Sequence, residues 1–88
     1  MREKLNERVG VVMICAKNPA QTSLPYAIRW QNKDYRVGKI GFHHKIKKGE
    51  TLHHIYELVD VDNTLWFRLD FDTHNLVWTL DAISDDHG

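Results

Sequence analysis

The chain is poor in the residue types that mark several protein classes. Cys15 is the only cysteine among 88 residues, which excludes a disulfide within the chain and a zinc finger or ribbon built by one copy. The five scattered glycines form no phosphate-binding fingerprint. No apolar run approaches the roughly 18 residues of a membrane span, and the amino terminus lacks the apolar segment of a signal peptide. We therefore expect one cytoplasmic domain over residues 1–88 with no membrane partner.

Net charge is also absent, but the two halves of the chain carry opposite charges. Residues 1–50 hold eleven Lys and Arg against four Asp and Glu, or +7, whereas residues 51–88 hold one against eight, or −7. Three interpretations fit this split: neighbouring strands that neutralise each other, a basic surface for a polyanion, and a homo-oligomer that assembles head to tail. The sequence leaves the three open.

Short runs of β-branched and aromatic residues between turn signals predict an all-β fold. The apolar run Val9–Ala16 is typical of a strand that is buried on both faces. Tyr26–Gln31 and Tyr35–His44 are predicted to be strands as well, and Gly38 and Gly41 in the latter permit bends or bulges.

The two ends of the chain are polar, and we expect them to lie outside a β core over residues 9–83. Residues 1–8 are predicted to form a mobile amino terminus or a short helical turn. Residues 84–88 are predicted to form an acidic tail.

Three turns set the expected register of the last four strands. A three-residue loop, Lys47-Lys48-Gly49, is preferred over a two-residue Lys48-Gly49 turn because it sets like side chains opposite each other. The later turns are expected at Asp62-Asn63 and Thr73–Asn75. All three agree on one apolar face, formed by Ile40, Phe42, Tyr56, Leu58, Phe67, Leu69, Phe71, Trp78 and Leu80.

The opposite face also carries apolar residues, so another element has to cover it. These residues are Val37, Ile55, Val59, Trp66 and Val77. The strand over Val9–Ala16 is the expected cover. We therefore predict an antiparallel meander of about six strands, rolled into a small barrel or half-barrel.

The stretch GFHHKIKKGETLHHIYEL holds four of the six histidines. The preferred register places His43, His53 and Asp72 in one row across three strands. Two imidazoles and a carboxylate can ligate zinc or iron, or serve in acid–base chemistry. A solvated polar cluster at a hairpin end is the preferred explanation of the row. We therefore expect a protein that is not an enzyme and needs no cofactor, and we keep a metal-dependent enzyme using this row as an alternative.

A basic segment interleaved with aromatic residues predicts a nucleic-acid surface. Between residues 29 and 48 lie seven cations and one acid, Asp34. Small β-barrels hold single strands with basic grooves and aromatic platforms. In the alternative, the rings belong to the core and the lysines only solubilise a hairpin tip. The candidate nucleic-acid residues are Arg29, Trp30, Tyr35, Arg36, Lys45, Lys47 and Lys48.

The segments IRWQNKDYRV and FRLDFDTHNLVWTLDAISD resemble a small uncharacterised bacterial all-β domain that is found near error-prone polymerase proteins. The resemblance covers about residues 28–85 and implies an accessory role in DNA repair, with no catalytic residues to carry over. The chain departs from that family in Val9–Ala16 and in the histidine hairpin. From the small size of the chain and its basic segment we expect a small binding or accessory module that contacts nucleic acid through a basic hairpin surface, with a protein–protein adaptor or a self-assembling subunit as the alternative. The matching positions are Trp30, Tyr35, Val37, Leu69, Trp78, Leu80 and Asp85.

Overall fold

The computed structural model describes residues 2–14 and 24–85, and every regular element within them is a strand. These strands form one antiparallel sheet, in the order β1-β7-β6-β5-β4-β3-β2, that curls into a half-barrel. The predicted all-β meander is confirmed, with seven strands in place of about six. Within the described ranges, no helix has the length and apolar character that crossing a membrane would take. The strands are β1 (Arg2–Arg8), β2 (Gly10–Ile14), β3 (Leu24–Trp30), β4 (Lys33–Lys48), β5 (Thr51–Asp60), β6 (Trp66–Asp72) and β7 (Val77–Ser84).

The sheet curls because its two edge strands are consecutive in the chain. β1 pairs with β7, β2 pairs with β3, and only Val9 separates β1 from β2. Consecutive Cα atoms are about 3.8 Å apart, so the opposite edges of the sheet meet at this corner. The backbone N–H of Val9 donates to the carbonyl of Trp78 at 3.2 Å and extends the pairing through the junction.

The concave face of the half-barrel holds the apolar core. Leu5, Val9 and Val11 pack against this core from the edge strands. The predicted apolar face therefore corresponds to the concave face, with the exception of Phe42, which is 43% exposed. The core cluster consists of Ile28, Tyr56, Leu58, Phe67, Leu69, Leu80 and Ile83.

Both chain ends take a larger part in the sheet than the sequence predicted. Residues 2–8 form β1, so the expectation of a mobile segment or helical turn is wrong. The segment is polar except for Leu5, so it carries little hydrophobic signal, yet the backbone groups that face β7 are paired with that strand. At the other end β7 continues through Ser84, which is 5% exposed and does not belong to a tail. Residues 86–88 lie outside the described residues.

The predicted strand over Val9–Ala16 is not buried on both faces. Its described part, β2, is an edge strand in which Val12 and Ile14 are 59% and 55% exposed. Val11 turns inward to the core on the concave side, so β2 does not cover the convex face. Val37 also packs on the concave side, contrary to its predicted place on the other face. Residues 15 and 16 lie outside the described residues.

Two β-bulges in β4 change which side chains face inward. The pairing with β5 shifts at Gly38 and again at Gly41, as the two glycines predicted. A Cβ on Gly38 would lie 2.7 Å from the backbone oxygen of Asp60, so the close approach of β5 requires glycine there. Each bulge adds one residue and reverses the alternation of the strand beyond it.

The β4–β5 hairpin turns through Gly49 and Glu50, since Lys48 pairs with Thr51. Gly49 has a φ of 64°, the positive value that the first position of a type II′ turn requires. Neither turn considered from the sequence is therefore correct. Beside the turn, the preferred register places Glu50 opposite Ile46, whereas the structure places His53 there. The two registers therefore differ by three residues.

The other two registers follow the predicted faces. The β5–β6 pairs are those predicted, including Tyr56 opposite Leu69 and His54 opposite Phe71. Across the β6–β7 turn, Leu69 lies opposite Leu80 and not opposite Trp78. That turn spans residues 73–76, and the two-residue difference keeps the residues paired between Leu69 and Asp72 on their predicted faces. A further shift between Arg68 and Leu69 sets Phe67 opposite Ile83, three residues from its predicted partner Leu80.

Candidate binding cleft at the open end of the half-barrel

The concave face opens into a cleft beside the β4–β5 and β6–β7 turns. These turns share one end of the half-barrel, because β5 begins where β6 ends. The cleft encloses about 470 Å³, within the usual range for ligand pockets. We call it the open-end cleft. Its lining comes from five strands and consists of Met13, His43, Lys45, His54, Tyr56, Phe71 and Trp78.

One wall of the open-end cleft is a group of contacting aromatic rings. Phe71 and Trp78 are cross-strand partners whose rings stack at a centroid distance of 4.6 Å. Trp78 also lies 5.6 Å from the ring of Tyr56, and burial raises the pKa of that phenol. Phe71 and Trp78 are only half-buried, so ring surface stays available in the cleft. Such surface suits a planar group.

The second wall is a histidine pair. Nε2 of His43 lies 2.9 Å from Nδ1 of His54, a hydrogen bond in which one ring donates and the other accepts. His43 also stacks on Tyr56 at 4.2 Å with the planes 8° apart. Burial, reinforced by the nearby charge of Lys45, lowers the pKa of both histidines. The pair is therefore neutral at pH 7, and it adds donor and acceptor capacity without charge.

Charge at the open-end cleft comes from lysine. Lys45 lines the cleft, and Lys47 follows two residues later in β4, which places it on the same face of the strand. Both are exposed. Among the described residues that line the cleft, none is acidic. The cleft therefore favours an anionic ligand that has a planar part.

The predicted row of His43, His53 and Asp72 does not form. His53 does lie opposite Asp72, but the shifted turn sets His43 opposite Tyr56 on the concave face. The row failed because the hairpin turns at Gly49–Glu50, which moves the pairing beside the turn by three residues, and an odd shift exchanges the two faces of a strand. In the described part of the chain, no three His, Cys, Asp or Glu side chains are grouped to hold a metal. Cys15 lies outside that part.

His53 instead joins an ionic network on the convex face. Its Nδ1 donates to Asp70 at 2.6 Å, and the Lys48 ammonium reaches the other oxygen of the same carboxylate at 2.5 Å. Asp70 is 5% exposed. Burial, together with the negative charge of Asp70, raises the pKa of Asp81 nearby. Lysine from the basic half here neutralises aspartate from the acidic half, in line with the first interpretation of the charge split.

The predicted nucleic-acid residues are distributed over several surfaces. Arg29 forms an exposed ion pair with Asp34 at 3.1 Å, while Lys48 is held by Asp70. Arg36 lies over the ring of Tyr26 at 5.1 Å. Of the predicted set, Lys45 lines the open-end cleft, and Lys47 lies two residues away on the same face of β4.

The two predicted stacking residues lie elsewhere, against the core. Tyr35 meets Phe67 edge-on at 5.4 Å, and Trp30 lies 6.2 Å from Tyr35. The indole N–H of Trp30 donates to Glu7 at 3.3 Å. Both rings are half-buried at the end of the sheet away from the cleft.

Sequence reasoning missed the aromatic wall because Phe71 and Trp78 were assigned to the core face. That face is correct, but the sequence does not show where along a strand the core stops. The one available signal was that Phe71 is predicted to lie opposite His54, close to the basic hairpin.

Comparisons with known proteins identify no relative of this chain. A scan against protein-family models, a search of curated proteins and a search of solved structures each return no match. The resemblance over about residues 28–85 therefore stays a prediction.

Proposed function

We propose that the protein is a non-catalytic binding module that holds single-stranded nucleic acid in the open-end cleft. The observation that carries this proposal is the meeting of the stacked Phe71–Trp78 pair and the Lys45 ammonium in one concave cleft. Proteins that bind single strands combine these two elements, aromatic faces for the bases and cations for the backbone.

Each element has a defined task in this proposal. A base stacks on the exposed surface of Phe71 and Trp78, an interaction worth roughly 1–3 kcal/mol per base. Lys45 and Lys47 contact phosphates from the neighbouring strand positions. The hydrogen bond between His43 and His54 uses one of the two N–H donors and one of the two acceptor nitrogens of the pair. One donor and one acceptor remain for contacts with a base edge. Because the tautomers of the two rings can exchange, either ring can be the donor, which suits a site that tolerates different bases.

The proposal keeps the nucleic-acid function expected from the sequence but moves its site. The candidate stacking residues change from Trp30 and Tyr35 to Phe71 and Trp78. The proposed phosphate-binding residues are now Lys45 and Lys47. Arg29 and Lys48 are left out because they already form ion pairs.

A fluorescence-anisotropy titration with a labelled single-stranded oligonucleotide tests the proposal. At about 50 mM salt, where electrostatic attraction to phosphates is strongest, we expect saturable binding by the wild type. Trp78→Ala should weaken binding at every salt concentration, because stacking does not depend on counterions. Lys45→Ala combined with Lys47→Ala should lower the slope of log K against log salt by about 0.7 for each phosphate that a lysine no longer neutralises.

Lys33→Ala is the matched control, since Lys33 is an exposed lysine at the other end of β4. Its affinity should stay close to that of the wild type. Absence of wild-type binding at low salt, or equal weakening by Lys33→Ala and Lys45→Ala, contradicts the proposal.

A second candidate, a protein–protein adaptor, is favoured by a groove on the convex face. This groove encloses about 410 Å³ and is lined in part by Phe42, Val59 and Trp66. Phe42 is 43% exposed there, so its ring adds apolar surface that a partner can cover. A pull-down with and without nuclease separates the candidates. An adaptor should retain its partner after nuclease treatment and lose it in Phe42→Asp, whereas Trp78→Ala should have no effect.

A further inference from the structure

The histidine pair of the open-end cleft has the geometry of two ligands to one metal ion. Nε2 of His43 and Nδ1 of His54 lie 2.9 Å apart. With metal–imidazole bonds of about 2.0 Å, two nitrogens on one trigonal or tetrahedral ion lie about 3.3–3.5 Å apart. The rings therefore need to separate by about half an ångström from the observed 2.9 Å and to turn so that both lone pairs converge on the ion. Tyr56, stacked on His43 at 4.2 Å, holds one of the two rings in place.

The tautomers of the pair also allow it to bind a metal. A neutral imidazole has one N–H and one lone pair, so the two neutral rings offer two lone pairs. One N–H lies between the rings in the hydrogen-bonded state. Metal binding requires the tautomer in which this proton sits on the outer nitrogen of its own ring.

A third donor borders the same cleft. Met13 lies in β2, and its thioether is on a side chain with three rotatable bonds. Thioether sulfur is a soft ligand that selects Cu(I), whereas imidazole binds several first-row ions. The described residues of the lining include no carboxylate to balance a dication, and Lys45 adds a positive charge that opposes +2 more strongly than +1. The aromatic wall supplies ring faces that attract a cation.

We propose that the open-end cleft binds one copper(I) ion through His43 Nε2, His54 Nδ1 and the Met13 thioether. The site goes beyond nucleic-acid binding and does not depend on it. It uses the histidine pair, which the proposed function assigns to a base edge, and it takes no ligand from the proposed base platform of Phe71 and Trp78.

An anaerobic competition titration of the protein against a chromogenic Cu(I) chelator, with no nucleic acid present, tests this site. We expect one equivalent of Cu(I) to bind the wild type. The double variant His43→Ala/His54→Ala should weaken binding at least 100-fold. Met13→Leu keeps the volume of the side chain but removes the sulfur, so it should weaken Cu(I) binding at least tenfold and leave zinc affinity unchanged. Lys45→Ala should bind Cu(I) more tightly, which tests the site without deleting any ligand.

Two controls separate this site from other copper ligands. Cys15→Ser is measured in parallel, because a thiolate also binds Cu(I), and it should retain the wild-type affinity. His74→Ala removes an exposed histidine in the β6–β7 turn and should also leave the affinity unchanged. The proposal is overturned if Cys15→Ser abolishes binding, if the double histidine variant binds as the wild type does, or if Met13→Leu leaves Cu(I) affinity unchanged.

Discussion

Two groups of aromatic residues lie at the two ends of the concave face, and their surroundings differ. At the end beside the β3–β4 turn, Tyr35 packs against Phe67, which is completely buried among aliphatic side chains. At the other end, Phe71 and Trp78 stay half-buried and have histidine and lysine as neighbours. Ring type alone therefore does not separate core from site. The difference lies in whether polar groups converge on the ring and leave its surface open.

The most direct test of this difference is to truncate one phenylalanine at each end of the concave face. Phe67→Ala removes a ring with no exposed surface and should cost about 3–5 kcal/mol in the free energy of unfolding. Phe71→Ala should cost clearly less, because its ring already borders open space, yet it should weaken oligonucleotide binding. Urea unfolding and the anisotropy titration measure the two effects. Equal destabilisation by both variants would show that Phe71 is an ordinary core residue.

The next largest effect is expected at the bulge that directs β4 inward. Gly38→Ala places a Cβ 2.7 Å from the carbonyl oxygen of Asp60, so the backbone has to shift, at a cost of about 1–3 kcal/mol. Gly41→Ala is the matched control. Its Cβ would meet its nearest neighbour, the Glu57 oxygen, at an ordinary 3.8 Å. Urea midpoints that fall equally for the two variants would mean that the approach at Gly38 imposes no special constraint.

These bulges also show how far the sequence could predict the molecule. Apolar alternation was sufficient for the fold class, for the concave face and for the β5–β6 register, because one buried face admits few registers. The two glycines of β4 indicated bulges but not their effect on pairing. The separation of His43 from His53 has another origin, the shift of the turn to Gly49–Glu50, because no bulge lies between that turn and His43.

The position of the open-end cleft could not be predicted for a different reason. A cleft depends on where the curled sheet leaves its core uncovered, and this follows from the corner at Val9, where the two edge strands meet. Both edge strands were misread: β1 was too polar to be recognised, and β2 was too apolar to be recognised as an edge.

The pH dependence of stability should distinguish the two ends. Burial lowers the pKa of His43 and His54 below the 6.5 of the unfolded chain, so the unfolded state binds protons first on acidification. Their contribution is therefore fully present above pH 6.5 and is lost as the pH falls through the folded pKa. Urea midpoints measured from pH 8 to pH 5 should decrease. In the double variant His43→Gln/His54→Gln this decrease should be smaller, and an unchanged pH profile would show that the pair titrates like exposed histidine.

The smallest effect is expected from an ion pair outside the cleft, and it separates the sequence-based nucleic-acid surface from the structural one. The side chains of Arg29 and Asp34 are 61% and 68% exposed, so Arg29→Ala should cost only about 0.2–1 kcal/mol of stability. This cost should diminish at high salt, which screens exposed charges. Lys45→Ala should leave stability unchanged but weaken oligonucleotide binding, because Lys45 lines the cleft. If Arg29→Ala weakens that binding as strongly as Lys45→Ala does, the nucleic acid follows the basic segment predicted from the sequence, and the open-end cleft is not its principal site.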